Sequence, residues 1–320
     1  MKTRVISEAQ DGAIALAVEH LLHGDTVAVP TETVYGLAAD ACSQPAVAEI
    51  FAAKGRPSHN PLICHVSSPE MAAHYVSVPA AAKRLMEAFW PGPLTLVLPQ
   101  VANNAIAPAV SAGLSTLAVR CPANATTRAI IHTLGRPIAA PSANPSGKLS
   151  PTTADAVLDG LAGKIPLIID GGQTHVGIES TIIGIESDKL TLLRPGSITV
   201  DEIAEATDLP VRDRDSALIT APGQLASHYA PSAPLTLDTA VRDGNFLLGF
   251  GAIEGDLNLS RSGDLEEAAR NLFAYLRKAD AATSSGIAVA PVPNKGIGIA
   301  INDRLKRAAA PRDIQKASNA

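Results

Sequence analysis

Helical and strand periods alternate almost from the first residue, and that alternation restricts this chain to an α/β fold. Ile14, Val18, Leu21 and Leu22 share one helical face, Ser7 and Gln10 have the spacing of a capping box, and Gly24 is placed to stop the helix. Residues 26–30 (TVAVP) read as a short buried strand. A second helix is predicted at 46–54, a strand at 61–66, and a helix at 80–89 ended by Trp90-Pro91-Gly92-Pro93. Further strands are expected at 94–99, 116–120, 137–143, 166–170, 180–185 and 190–196, with helices at 125–135 and 153–163. Both hairpin and crossover connections are implied, so the expected architecture is an open twisted mixed sheet with flanking helices.

The pattern lapses near residue 211. The stretch that follows carries three prolines and little periodicity, too long for an ordinary loop, and reads as a linker or a functional lid. The expected division is a domain over 1–210, a linker over 211–232 and a small α/β domain over 233–320. In the last, 235–240, 245–251 and 286–292 look like buried strands, and Leu265, Ala269, Leu272, Phe273 and Leu276 line one face of a helix. Residues 297–310 read as a last strand running into a helix. Between the first two of these strands there is room for hardly more than a turn.

Hydrophobic content of 46% against 18% charged residues describes a well-buried globular chain. A net charge of −5 and 3% aromatics supply neither a global positive field nor many rings for stacking bases, which counts against a nucleic-acid-binding module. Cys42, Cys64 and Cys121 are odd in number and form no CxxC pair, which suits reduced thiols in the cytoplasm and gives no zinc site. No apolar signal core opens the chain and no run of about 18 apolar residues follows, so neither secretion nor membrane spanning is expected.

The richest stretch chemically is Lys54-Gly55-Arg56-Pro57, running on to Asn60-Pro61 and His65. Lys54 and Arg56 are two apart, so an extended backbone would project both cations to one face. Usual nucleotide motifs are missing: Gly147-Lys148 is followed by Leu149 and position 142 is Ser, while Gly296-x-Gly298 is followed by Ile301. Ser142 lacks a nucleophile elbow, and the eight histidines show no metal-ligand spacing. Six polar segments instead interrupt the ends of apolar strands, at 30–36, 54–61, 115–120, 140–147, 177–182 and 192–196, where ligand loops of open α/β sheets gather. Thr, Ser and Asn at such places are more often turn formers. Arg120 and Arg194, inside apolar runs without a local acid, are more telling: a buried guanidinium demands an anion, either a ligand or an acid distant in sequence. Glu32 and Glu179 could hold Mg²⁺ or orient loops.

Taken in order, PTETVYG, KGRP with NPL, WPGPLT, PSAN, IDGG with ESTI, LLRPG and Ser227-His228-Tyr229-Ala230-Pro231 resemble the YrdC-like family, in its two-domain L-threonylcarbamoyladenylate synthase form, over nearly the whole chain. The resemblance implies a YrdC-like domain with a positively lined cavity, a small Rossmann-like second domain, and a linker over the active site. It implies condensation of L-threonine, bicarbonate or CO₂, and ATP with Mg²⁺ into threonylcarbamoyl-AMP and pyrophosphate. The product would pass to a threonylcarbamoyl transferase complex acting on tRNA, with direct tRNA contact left open. Carried over by motif, threonine is expected at Thr33, His65, Arg120, Ala140 and Ser180. ATP is expected at Arg56, Asn60, Thr116, Ser142, Asn144, Ser150, Arg194 and Tyr229, with Lys54 and Arg56 in catalytic roles. The carbamoyl-adenylate transferases of hydrogenase maturation share such domains, but they are larger and carry zinc-finger-type cysteine motifs that this chain lacks.

Overall fold

A computed structural model of the chain describes residues 1–57, 60–187, 189–214, 228–283 and 285–311. Among them an eleven-stranded mixed sheet runs in the order Arg4–Ser7, Leu167–Asp170, Val27–Val29, Gly36–Asp40, Ile138–Ala139, Ile63–His65, Thr116–Arg120, Leu94–Pro99, Thr181–Glu186, Lys189–Arg194 and Val211–Asp213. This is the expected mixed sheet with flanking helices. Its strands are short and apolar because helices cover both faces, burying Leu94, Leu96 and Leu98 on one side and Val27 and Val29 on the other. Val211–Asp213 pairs with Lys189–Arg194, so the sheet reaches into the segment read as linker.

Four local readings are corrected. The first helix starts at Ala13 with Gly12, at φ 81, as its N-cap; Ser7 belongs to an edge strand, and no capping box forms there. Lys54 is not on extended backbone but ends the helix Gln44–Lys54, with Gly55 at φ 59 as the left-handed cap. Lys54 and Arg56 therefore do not share the alternating face of one extended strand. Residues 298–309 are helix from their first residue, with no strand before them. The strands Arg4–Ser7 and Gly36–Asp40 went unpredicted, the latter hidden behind the polar PTETVYG segment.

The second domain is a small Rossmann-like unit with four parallel strands ordered Leu235–Thr236, Ile287–Val289, Phe246–Gly249 and Leu257–Asn258. No helix occurs between the first two in sequence, in keeping with the short connection. The helix Leu265–Ala282 packs its Ala269, Leu272, Phe273 and Leu276 against this sheet and, at one end, against the first domain. Gly177 marks that contact: a Cβ there would lie 2.4 Å from Arg270 Cα and 2.5 Å from the Ala269 carbonyl oxygen. Only glycine lets the backbones approach so closely.

Candidate active site

Strand pairing builds the core of the site. His65 and Arg120 are direct partners on neighbouring parallel strands, so their side chains emerge side by side on one face. Arg194 ends the strand Lys189–Arg194 at a register shift between Leu192 and Arg194, an irregularity of the kind that re-aims side chains at sheet rims. Thr33 is brought in by the tight turn after Val27–Val29. There Thr31 donates to the Val34 carbonyl at 2.6 Å, so the 2.8 Å contact between the two hydroxyls has Thr33 donating to Thr31.

Arg120 is held on three sides. Its Nε donates to the Gly92 carbonyl at 3.2 Å, Nη1 to Thr33 Oγ1 at 3.0 Å and Nη2 to Glu32 Oε1 at 2.6 Å. The acid missing from its own strand is Glu32, 88 residues away in sequence. Of the five guanidinium N–H groups, one on each terminal nitrogen is left over, in the fork that suits a carboxylate. Arg194 donates from Nε to the Ser180 carbonyl and from Nη2 to Ser180 Oγ, both at 3.0 Å. Ser180 Oγ also meets Thr95 Oγ1 at 2.8 Å. Glu179 accepts from Ser150 Oγ at 2.5 Å and from Arg304 Nε at 2.9 Å. Glu32 and Glu179 are both committed to arginines, which favours loop orientation over metal binding.

Electrostatics follow burial. His65 is driven down to about 3 by burial and then by Arg120, so its imidazole is neutral; Nδ1 donates to the Ile63 carbonyl at 3.2 Å, leaving Nε2 as an acceptor. His228 is likewise held near 3, again by burial first. Arg56 is lowered to about 10, chiefly by burial, while its Nη2 donates to the Pro61 carbonyl at 2.9 Å. Lys54 is lowered well below its ordinary value by burial and then by Arg56. Its Nζ donates to the Ser142 and Asn144 carbonyls, both at 2.5 Å, so it clamps the PSAN loop from behind.

A cavity of about 50 Å³ is lined by Thr33, Arg56, His65, Arg120, Ala140, Ser142, Arg194 and Tyr229, eight of the expected site residues. Lys54, Asn60, Thr116, Asn144, Ser150 and Ser180 do not line it. Lys54, Ser150 and Ser180 sit behind residues that do. Asn60 is buried with both amide atoms unpartnered, and Asn144 keeps an unpartnered Oδ1. Thr116 lies on the same strand face as Arg120 but at the opposite end of the strand.

The comparisons with known proteins agree with this geometry. A family model described as "Telomere recombination" matches residues 19–196, and one described as "Threonylcarbamoyl-AMP synthase, C-terminal domain" matches 198–310. The Pyrococcus abyssi threonylcarbamoyl-AMP synthase is 39% identical, covering 96% of each chain; that of Bacillus subtilis is 40% identical, covering 95% of each. The chain belongs to the threonylcarbamoyl-AMP synthase family. Among solved structures, a crystal structure of the P. abyssi protein complexed with L-threonine superposes with a TM-score of 0.88 at 38% identity, covering 96% of this chain and 98% of that one.

For a member of this family, three site residues escaped the sequence reading. Thr31 lines the cavity, though it was visible inside PTETVYG. His228 lines it too, with Nδ1 unpartnered, and stands beside Tyr229 in a stretch already singled out. Arg304 approaches from the second domain and gave no signal, because an arginine on an amphipathic helix is ordinarily solvated. Of the expected linker, residues 215–227 lie outside the described residues.

Proposed function

We propose that this chain condenses L-threonine, bicarbonate or CO₂, and ATP into threonylcarbamoyl-AMP and pyrophosphate, the precursor of N6-threonylcarbamoyladenosine in tRNA. One observation carries the reading: Arg56, Arg120, Ser142 and Arg194, spread over 139 positions of sequence (194 minus 56, inclusive), converge on one cavity. Buried cations there outnumber buried acids. Glu32 and Glu179 meet the buried Arg120, Arg194 and Arg304, and half-buried Arg56 adds a fourth guanidinium. Such an excess suits a polyanion.

In this reading the remaining fork of Arg120 takes the threonine carboxylate, and His65 Nε2 and Thr33 receive its polar groups, with Ser180 and the Ala140 backbone beside them. The threonine nitrogen captures CO₂ to form a carbamate. A carbamate oxygen then attacks the α-phosphorus of ATP while the bond to the departing pyrophosphate breaks. Charge grows on phosphate oxygens, and Arg56 and Arg194 are fixed in advance to meet it. Asn60, with its unpartnered buried amide, Ser142 and Tyr229 complete the nucleotide side. Mg²⁺ enters with the ATP phosphates as part of the substrate, since both nearby carboxylates are held by arginines.

A cavity of about 50 Å³ is far smaller than the roughly 300–1,000 Å³ of small-molecule sites, so His228 and Tyr229 withdraw to admit ATP. Water would be excluded on return, which protects a hydrolysable carbamate and adenylate. The intermediate would pass to a threonylcarbamoyl transferase complex. A cytoplasmic location is in keeping with three free cysteines, and no helix among the described residues is long and apolar enough to cross a membrane.

The test is a pyrophosphate-release assay with labelled threonine. Release is expected only when threonine, bicarbonate and ATP are all present, with label recovered as an adenylate. Release without threonine would overturn the assignment.

A further inference from the structure

The second domain reaches the site both by packing, with Phe273 against the Tyr229 ring at 5.5 Å, and by charge. Arg304, on the helix Gly298–Ala309, is fully buried. Its Nε donates to Glu179 Oε2 at 2.9 Å, its Nη1 to the Pro195 carbonyl at 2.9 Å and to Asp303 Oδ2 at 2.8 Å, and its Nη2 to the Glu179 carbonyl at 3.4 Å. Its guanidinium also lies 5.5 Å from the centre of the Tyr229 ring. The other oxygen of Glu179 takes the Ser150 hydroxyl at 2.5 Å. One carboxylate thus joins the second domain to two expected substrate segments, Ser150 and Glu179–Ser180.

Glu179 has another cation in reach. Arg194 acts on its carboxyl electrostatically while holding Ser180 through Nε and Nη2. Burial pushes the Glu179 carboxyl up, and Arg304 first, then Arg194 and Ser150, outweigh burial and hold it below its ordinary value. Without Arg304, a buried carboxylate would turn to Arg194, pulling it from Ser180 and cancelling part of its charge.

We propose that Arg304 is a positioning residue for the nucleotide side of the site: by binding the Glu179 carboxylate it fixes Ser150 and keeps Glu179 from competing for Arg194. The proposal rests on the ligand assignment above, and it makes the second domain an electrostatic part of the catalytic site.

The experiment uses the full chain and the pyrophosphate-release assay. Wild-type enzyme must first require all three substrates; if it does not, the assigned reaction fails, whatever Arg304 does. In Arg304→Met, the KM for ATP is expected to rise about tenfold or more, while kcat changes much less. Adding Glu179→Gln to Arg304→Met removes the competing charge, and the ATP KM should fall back toward the wild-type value. A purely structural residue would lower melting temperature and active fraction and leave the KM of the folded enzyme unchanged. That result overturns the proposal, as does a double variant no better than Arg304→Met. Should Arg304→Met fail to fold, Arg304→Gln, which keeps a polar side chain but removes the charge, decides: a raised ATP KM in the folded protein supports the proposal, and a wild-type value overturns it.

Discussion

Arg120 Nη2 donates to Glu32 Oε1 at 2.6 Å, and both side chains are buried. The pair couples the turn after one strand to the end of another, and the second oxygen of Glu32 takes the Ala123 N–H at 3.0 Å. Arg120 is therefore oriented before any ligand arrives, with its remaining N–H fork fixed in place. This preorganisation lowers the ordering cost of binding, because the rotamer entropy of a long side chain is already lost on folding.

Arg120→Ala should raise the threonine KM far more than the ATP KM, by roughly 30-fold or more, the equivalent of about 2 kcal/mol for one charge-assisted contact. Glu32 is left as an unpaired buried acid, so a loss of stability should accompany it. Steady-state titration of each substrate against fixed excess of the others checks this. Equal loss for both substrates would count against the assigned role.

Lys54 touches backbone carbonyls of Ser142 and Asn144 in this closed site and does not line the cavity. Lys54→Met should therefore loosen the PSAN loop and raise the ATP KM about tenfold through two lost hydrogen bonds, leaving kcat at saturation nearly intact. A collapse of kcat with ATP affinity preserved would return Lys54 to direct phosphate chemistry.

His65 ties stability to pH. Its folded-state value is about 3 against an ordinary 6.5, so between those limits the unfolded chain binds a proton that the native state refuses, and stability falls as pH drops below 6.5. From pH 7 to 5 this one group accounts for roughly 2 kcal/mol. Urea unfolding of wild type and His65→Gln at both pH values measures it, and the acid-side loss should shrink by about that amount in the variant. His228, also held near 3, should leave a similar residue of pH dependence behind.

Gly177→Ala tests the domain contact. With φ at +81 and backbone atoms of Arg270 and Ala269 within 2.5 Å of the added methyl, the domains must shift apart, at about 3 kcal/mol or more. Gly24→Ala has nearly the same φ, +87, but open space around it, and should lose only the roughly 1 kcal/mol of backbone strain. Melting temperatures of the two variants make the comparison. Similar losses would show that Gly177 is kept for its φ alone.

Local patterns carried most of the architecture. Period and strand length predicted the strands around Leu94–Pro99, Thr116–Arg120 and Thr181–Glu186 and the helices Ala80–Phe89 and Leu265–Ala282, because each buries a continuous apolar face. Reading failed where polarity masked an element. Gly36–Asp40 lies directly behind a ligand loop, and Gly12 replaced the expected serine cap because the strand Arg4–Ser7 had already claimed Ser7.

The amino-acid order alone determined that this is an α/β chain of the threonylcarbamoyl-AMP synthase kind, since hydrophobic period and ligand-loop motifs are local properties. Which charges meet was decided only by the fold. Glu32 finds Arg120 across 88 residues and Arg304 finds Glu179 across 125, and Lys54, two residues from Arg56 in sequence, ends a helix and spends its ammonium on the Ser142 and Asn144 carbonyls. Coulomb interactions in a low-dielectric interior depend on distance in space, and distance in space is what a one-dimensional pattern leaves out.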